Sequence, residues 1–135
     1  IGGNLGSGVT MLYPCSVLKG RHASAEHIAI AYAGAQQHQD TGAKVIMLAP
    51  ETSCLIKAKS ISKDGGITNY RGLLTINKGA TNAKAHVMCD ALILDEKSKS
   101  DTTPYMQIRE QSVDVGHEAT VGKISDEKLF YLMSK

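Results

Sequence analysis

The sequence predicts an all-β protein built from short strands. Apolar or alternating runs rich in β-branched residues follow one another along the chain, and Gly, Asn, Asp and Ser separate them. Helical periodicity is nearly absent before Ser125. Sequence pairs typical of tight hairpins are scarce, since the one Asp-Gly pair, Asp64-Gly65, is followed by a second glycine in a polar stretch. These features indicate many strands that are not joined as hairpins.

The strands are predicted from alternation and from the residues that separate them. In the run 27–33, for example, Ile28, Ile30 and Tyr32 share one face while the other face is mostly alanine, so both faces are expected to be covered. Turns are expected at 63–66, 78–80 and 102–104, and the glycine-rich segment 2–8 is expected to be a connection. The predicted strands are 9–12, 16–19, 27–33, 44–49, 53–60, 73–77, 82–90, 91–94, 105–109, 113–115 and 119–123.

This series of strands is compatible with a sandwich, a barrel or a solenoid. The scarcity of hairpins disfavours an up-and-down barrel. A solenoid needs no hairpins, and its coils stack small and branched residues in columns. The composition suits such layers, because only 4% of the residues are aromatic and there is no Trp. No strict repeat length is visible, so the periodicity favours the solenoid only weakly over the other two architectures.

The end of the chain has a different pattern. Ser125 is a suitable N-cap, and Asp126 and Glu127 then fall in the first turn of a helix, where negative charge is favourable. Leu129 and Leu132 follow at helical spacing. We therefore predict a helix from about Ser125. Because the chain does not start with Met and stops within this pattern, we expect it to be a fragment of a longer protein.

Charge and cysteine content exclude several classes of protein. The net charge is only +2 and there is no run of basic residues, which argues against binding of nucleic acid or membrane surfaces. No apolar run approaches the ~18 residues of a membrane-spanning helix, and no signal peptide is visible. Cys15, Cys54 and Cys89 are far apart and form no C-x-x-C pair. A disulfide scaffold and a structural zinc site are therefore not expected, and the chain suits a reducing compartment.

Cys89 and Glu118 are the first candidate site residues. Thiolate, imidazole and carboxylate are the groups that bind iron and zinc in proteins. However, free cysteines more often pack as small hydrophobic residues. Asp90 would raise the pKa of the Cys89 thiol, whereas Lys84 and His86 would act in the opposite direction. Both interpretations of Cys89 therefore stay open at this point.

His117 and Glu118 are the second candidate pair. Neighbours on a regular strand point to opposite faces, so both could reach one ion only if the backbone were irregular. Gly116, directly before them, permits a bulge. The alternative is a surface His-Glu pair at the end of a strand. Cys15 and Cys54 have only the packing interpretation on these grounds, and neither a phosphate-binding loop nor a nucleophile elbow is present.

Seven short motifs occur in order along the chain. They are Asp40-Thr41-Gly42-Ala43-Lys44, Ser60-Ile61-Ser62-Lys63, Tyr70-Arg71-Gly72-Leu73, Cys89-Asp90-Ala91-Leu92, Pro104-Tyr105, Gly116-His117-Glu118-Ala119-Thr120 and Leu129-Phe130-Tyr131-Leu132-Met133. With them the chain resembles the core of the SufB/SufD family of iron–sulfur cluster assembly proteins, from Tyr13 onward. The Cys89 and His117-Glu118 motifs favour the SufB branch over the SufD branch.

The resemblance implies a fold and a role. The fold is a right-handed parallel β-helix over 1–124, followed over 125–135 by the start of a truncated C-terminal helical region that would contact the ATPase SufC. The role is that of a scaffold, not an enzyme, on which a nascent iron–sulfur cluster is built and then passed to apo-proteins. Its implied partners are SufC, SufD and sulfur donor proteins. The implied location is the cytoplasm, or a plastid or organelle stroma in a eukaryote.

The resemblance also implies the site. Cys89 corresponds to a position linked to sulfur acceptance and cluster binding, Glu118 to its partner ligand, and His117 lies beside it; Cys89 and Glu118 would hold iron through the nascent cluster. Gly116 stands where some members carry an acidic residue, and Cys15 lies near a cysteine proposed for sulfur entry. A permanently held cluster needs about four thiolates, so this site should be incomplete and exchangeable. A second β-helix would supply the missing ligands.

Other functions are weighed against the scaffold. A SufD-like structural subunit without its own cluster site shares the fold. A carbohydrate-active β-helix enzyme would need clustered Asp residues in a groove, whereas Asp90, Asp95 and Asp101 are scattered; an acyltransferase solenoid would need a hexapeptide repeat, which is absent. We also expect pairing through the C-terminal end of the β-helix, segment 105–123, with SufD or a second SufB in the cell and as a homodimer in this fragment.

Overall fold

The computed structural model describes residues 1–134 and, for Leu129, the backbone alone. Residues 1–134 form ten strands and one helix. They are β1 (Gly2–Asn4), β2 (Val9–Leu12), β3 (Cys15–Leu18), β4 (Ser24–Ala33), β5 (His38–Met47), β6 (Ser53–Ser62), β7 (Ile67–Ile76), β8 (Ala83–Ile93), β9 (Lys99–Ile108), β10 (Val113–Lys123) and α1 (Asp126–Met133).

From β4 onward, consecutive strands alternate between two sheets. Sheet A has the order β1-β4-β6-β8-β10, and sheet B has the order β2-β5-β7-β9 with β3 also beside β5. Within the described residues every strand pairing is parallel. A chain that passes back and forth between two parallel sheets is a β-solenoid, here of about four coils. The predicted parallel β-helix is confirmed.

Each coil takes about 30 residues, and its length varies slightly. Ser24 pairs with Ser53, and Ser53 pairs with Lys84, so one coil is two residues longer than the previous one. This variation explains why no strict repeat is visible in the sequence. At the corner before sheet A, His22, Glu51 and Asn82 all adopt positive φ values near 60°. Corners rather than hairpins therefore reverse the chain, and they need single left-handed residues instead of Asn-Gly pairs.

The core lies between the two sheets and is filled by alternate residues of each strand. Buried apolar residues from sheet A face buried apolar residues from sheet B, and equivalent positions of successive coils stack in columns. Two columns matter for function. The Cys89 column of sheet A consists of Ala29, Ala58, Cys89 and Ala119. The Tyr70 column of sheet B consists of Thr41, Tyr70 and Thr102.

Several predicted boundaries are wrong, and parallel pairing explains them. The predicted pairs of strands 82–90 with 91–94, and 113–115 with 119–123, are single strands, β8 and β10. The predicted turn 102–104 lies inside β9, where Pro104 pairs with Gly72; proline is tolerated there because β9 is an edge strand of sheet B among the described residues. The segment 2–8, expected to be a connection, contains β1. Pairing with the neighbouring coil overrides local turn propensity at these positions.

The predicted C-terminal helix is confirmed. The Ser125 hydroxyl accepts a hydrogen bond from the Lys128 backbone N–H at 3.4 Å, and Asp126 and Glu127 occupy the first turn. Phe130 and Met133 are largely exposed. Within residues 1–134, no helix has the length and apolarity needed to span a bilayer.

Candidate functional site

Cys89 lies inside the solenoid. It is on β8, points inward and is only 4% exposed. Its column neighbours are Ala58 in the preceding coil and Ala119 in the last coil. Both neighbours within sheet A are alanines, so the column on either side of the thiol is narrow.

Burial determines the protonation state of this thiol. Burial first, and then the negative charge of Asp90, raises the pKa of Cys89 to about 11. Lys84 and His86 do not offset this shift, because they alternate with Cys89 and lie on the outer face of the sheet. At neutral pH the thiol is therefore protonated. It becomes a thiolate only when a metal ion or another reactant displaces its proton.

Tyr70 extends from sheet B into the same part of the interior. It is 6% exposed, and its hydroxyl has no hydrogen-bond partner among the described residues. Tyr70 and Cys89 line one small cavity, of about 10 Å³, which is close to the size of a single water molecule. Burial, followed by the charges that Cys89 and Cys54 would carry as thiolates, raises the pKa of Tyr70. The Cys89 and Cys54 sulfurs are thus both electrostatic neighbours of the Tyr70 hydroxyl, and of the two cysteines only Cys89 lines this cavity.

His117 also faces the interior. It lies on β10, one coil after Cys89, and pairs with Val87 of β8. Val87 is the inward-facing residue that precedes Cys89 on that strand. The Nε2 atom of His117 is buried and has no hydrogen-bond partner within the part of the chain that the structure describes. The fold therefore brings an imidazole nitrogen to the same side of sheet A as the Cys89 sulfur.

Glu118 is on the opposite side of the sheet. It pairs with Met88, whose side chain points outward, and it is exposed. The register between β10 and β8 runs unbroken through Gly116, so the bulge that glycine permits is not formed. Instead, the ring of His86 lies against Gly116, with Nδ1 2.7 Å from the place of a Cβ. In this structure His117 and Glu118 point to opposite faces of one regular strand.

The other two cysteines differ in burial. Cys54 belongs to the core, and burial raises the pKa of its thiol to about 11, which confirms its interpretation as a packing residue. Cys15 is exposed on β3, beside Lys44 of sheet B. Cys15 does not line the cavity that Tyr70 and Cys89 share.

The site of one chain is incomplete as a metal centre. Among the described residues, no group of three or more His, Cys, Asp and Glu side chains is placed to hold a metal ion. Cys89 and His117 lie inside the solenoid and Glu118 lies outside it. All three are on the last two strands of sheet A, and in the part of the chain that the structure describes β10 has a neighbour on one side only. This open edge leaves one side of the site free for a further strand.

Comparison with protein families identifies the family of this chain. The family described as SUF system FeS cluster assembly, SufBD core domain, matches residues 1–135. The chain belongs to the SufBD family. Its members therefore supply the relevant comparisons for the geometry described above.

Relatives in the SufBD family match the chain from end to end. The iron-sulfur cluster assembly SufBD family protein Mb1496 of Mycobacterium bovis is 55% identical over 135 residues, which are 16% of that protein. The iron-sulfur cluster assembly protein SufB of Bacillus subtilis is 51% identical over 135 residues, 29% of its length. A SufBD family protein of Staphylococcus saprophyticus, SSP1857, is 50% identical over the same length and share. The chain thus spans less than a third of these relatives.

One residue of this SufBD core was missed as a site candidate. Tyr70 occurs in one of the seven motifs, but nothing in the residues around it indicates that it lies beside Cys89. The available signal was that a large aromatic residue lies at an inward position in a chain with few aromatics. Locating it next to Cys89 required the pairing of the coils and the facing of the two sheets.

Proposed function

We propose that this SufBD core is part of a scaffold on which an iron–sulfur cluster is built and then transferred to apo-proteins. The cluster is cargo, not a resident cofactor. The single observation that carries the proposal is the position of the Cys89 thiol: inside the solenoid, one coil from the open edge of sheet A, with the His117 nitrogen on the same side. The protein acts without catalysis of its own.

The donor set suits temporary binding. A thiolate is the soft ligand that iron and sulfide prefer, and Cys89 supplies one. Stable clusters are held by about four thiolates, whereas the last two strands of sheet A offer one inward thiol, Cys89, and one inward imidazole, His117. Glu118 would add a harder oxygen ligand from the outer face if the β10 edge opened during assembly. A set of this kind holds a cluster weakly enough for it to be passed on.

Partners would complete the assembly. A second β-helix, from SufD or from a second copy, would meet the open edge of β10 and supply further ligands. The helical region that starts with α1 would contact SufC, which would contribute ATP hydrolysis, and sulfur donor proteins would deliver sulfur. We place this complex in the cytoplasm, or in an organelle stroma in a eukaryote.

Anaerobic reconstitution tests this function. The full-length protein with its partners is incubated with ferrous iron and sulfide, and sulfur-to-iron charge-transfer absorption is recorded. Absorption that requires Cys89 is the expected result. A protein that folds and joins its partners but develops no such absorption would instead be a SufD-like structural subunit.

Replacing Glu118 by alanine is expected to slow cluster assembly roughly tenfold, without abolishing it. The carboxylate is a supporting ligand, and a water molecule that took its place would be held less firmly. Glu118 lies on the outer face, so its loss does not disturb the core. The measurement is the initial rate of cluster formation in the full complex.

Asp114→Ala is the matched control for this variant. Asp114 is also acidic, exposed and outward-facing on β10, four residues before Glu118. Its replacement should leave the rate unchanged. Equal slowing by both variants would mean that general negative charge, not a ligand at Glu118, is responsible.

Replacing Val121 by lysine is expected to convert a dimer formed through the end of the solenoid into monomers. Val121 occupies an inward position on the last coil and is nevertheless 60% exposed, because no further coil covers it among the described residues. A partner that covered it would have to bury the new charge without a counter-ion. Sedimentation velocity measures the change in mass.

Thr120→Lys introduces the same charge one residue earlier, on the outer face. It should leave the dimer intact. If wild type is a monomer at high concentration, or if both variants dissociate equally, pairing through this end of the solenoid is wrong.

A further inference from the structure

Tyr70 carries a polar group that the fold places in the interior and leaves without a partner. Its ring lies beside Gly72, where a Cβ would be in ordinary contact with Tyr70 Cε1 at 3.6 Å. The hydroxyl oxygen is buried and makes no hydrogen bond. A buried hydroxyl without a partner costs roughly 1–3 kcal/mol, so a phenylalanine would be the more stable choice for packing alone. The hydroxyl therefore points to an acceptor that becomes available only when a further group binds.

Cys89 is the group that this hydroxyl can serve. Both residues line the same cavity, which is about the size of one water molecule. In that cavity Thr68 is already engaged, since its hydroxyl is bonded to Ser62 at 2.8 Å and to Ser100 at 3.1 Å. A protonated thiol is a weak acceptor, but a thiolate or a metal-bound thiolate accepts strong hydrogen bonds.

The other buried polar atoms without partners do not fit this role. Within residues 1–134 they are Gln39 Oε1 and His117 Nε2. The Gln39 atom is an acceptor, and Gln39 does not line the cavity. His117 is already assigned to the proposed cluster site. Of these three residues, Tyr70 alone combines an O–H donor with a place in the cavity beside Cys89.

We propose that Tyr70 is a positioning residue for Cys89: its hydroxyl donates a hydrogen bond to the Cys89 sulfur when that sulfur binds iron. This inference rests on the proposed scaffold function and adds a residue to it. Donation requires no covalent step, because the proton stays on the tyrosine oxygen. The hydrogen bond disperses negative charge from the sulfur, which shifts the reduction potential of the cluster to a more positive value. It also stabilises the thiolate against protonation, which slows the loss of iron.

Tyr70→Phe tests this role in the full-length protein with its partners. It removes one oxygen atom and keeps the ring. The expected results are a more negative reduction potential and about tenfold faster loss of iron to a chelator, the effect of one hydrogen bond to a charged acceptor. The thermal unfolding midpoint of the cluster-free protein should stay the same or rise, because an unpartnered hydroxyl is removed. A purely structural tyrosine would instead lower that midpoint.

Two further variants make the test specific. Tyr32→Phe carries the same change at an outward, half-buried position of sheet A and should alter neither the potential nor iron loss. Incorporation of 3-fluorotyrosine at position 70 makes the hydroxyl a stronger donor and should shift the potential in the positive direction. It also provides a test if Tyr70→Phe does not fold.

The outcomes separate this inference from the proposed function. A Cys89-dependent cluster with the same potential and iron loss in wild type and Tyr70→Phe overturns the role of Tyr70 alone. A wild-type complex that forms no Cys89-dependent cluster overturns the scaffold function and the role of Tyr70 with it. A shift of equal size in Tyr32→Phe also overturns the inference.

Discussion

Replacement of Cys89 by serine is expected to abolish cluster assembly while the solenoid stays folded. Serine keeps nearly the same size in the alanine-lined column, so packing changes little. Burying a hydroxyl in place of a thiol should lower stability by about 1–2 kcal/mol. What is lost is the soft ligand for iron and sulfide, which oxygen does not replace. Charge-transfer absorption after anaerobic reconstitution of the full complex measures assembly, and circular dichroism measures the fold.

The two other cysteines provide the controls for this prediction. Cys54→Ser makes the same change at another buried thiol and should affect stability only. Cys15→Ser changes an exposed thiol and should leave reconstitution with free sulfide unaffected. If Cys89→Ser matures clusters as fast as wild type while Cys15→Ser or Cys54→Ser does not, the assignment of the site to Cys89 is wrong.

Replacement of Gly42 by alanine is expected to destabilise the solenoid by about 3 kcal/mol or more. Gly42 is buried on β5 and pairs with Arg71 on β7. A Cβ at this position would overlap the backbone carbonyl oxygen of Arg71 and come within 3.1 Å of Tyr13 Cδ1. Neither strand is free to move, because each pairs with strands on both sides. Denaturant unfolding followed by far-ultraviolet circular dichroism measures the loss.

Gly122→Ala is the matched control for this substitution. Gly122 also lies in a strand, but a Cβ there would make ordinary contacts, at 3.9 Å from Leu92 Cδ1 and 4.0 Å from the Ala91 carbonyl oxygen. Its effect should stay within about 0.5 kcal/mol. Similar stability of the two variants would show that β5 and β7 do not approach each other as closely as described.

The site could be predicted only in part, and the strands show why. Alternation in β8 is visible in the sequence, and it places Cys89 and Asp90 on opposite faces whatever the fold. The same argument separates His117 from Glu118 on a regular strand. Whether Gly116 formed a bulge depended on the pairing of β10 with β8, and the unbroken register settles that the strand is regular. Which face is inside is likewise decided by packing, since a slip of one residue would exchange the two faces.

The sequence by itself determined the all-β class, the absence of hairpin signals and the N-cap of α1 at Ser125, because each depends on neighbouring residues. Its motifs also identified the family. Only the tertiary structure decided the two-sheet coil, the continuity of β8 and β10, and the meeting of Tyr70 with Cys89. Those features join positions that lie far apart along the chain. The pairing energy of whole strands, rather than local propensity, brings such positions together.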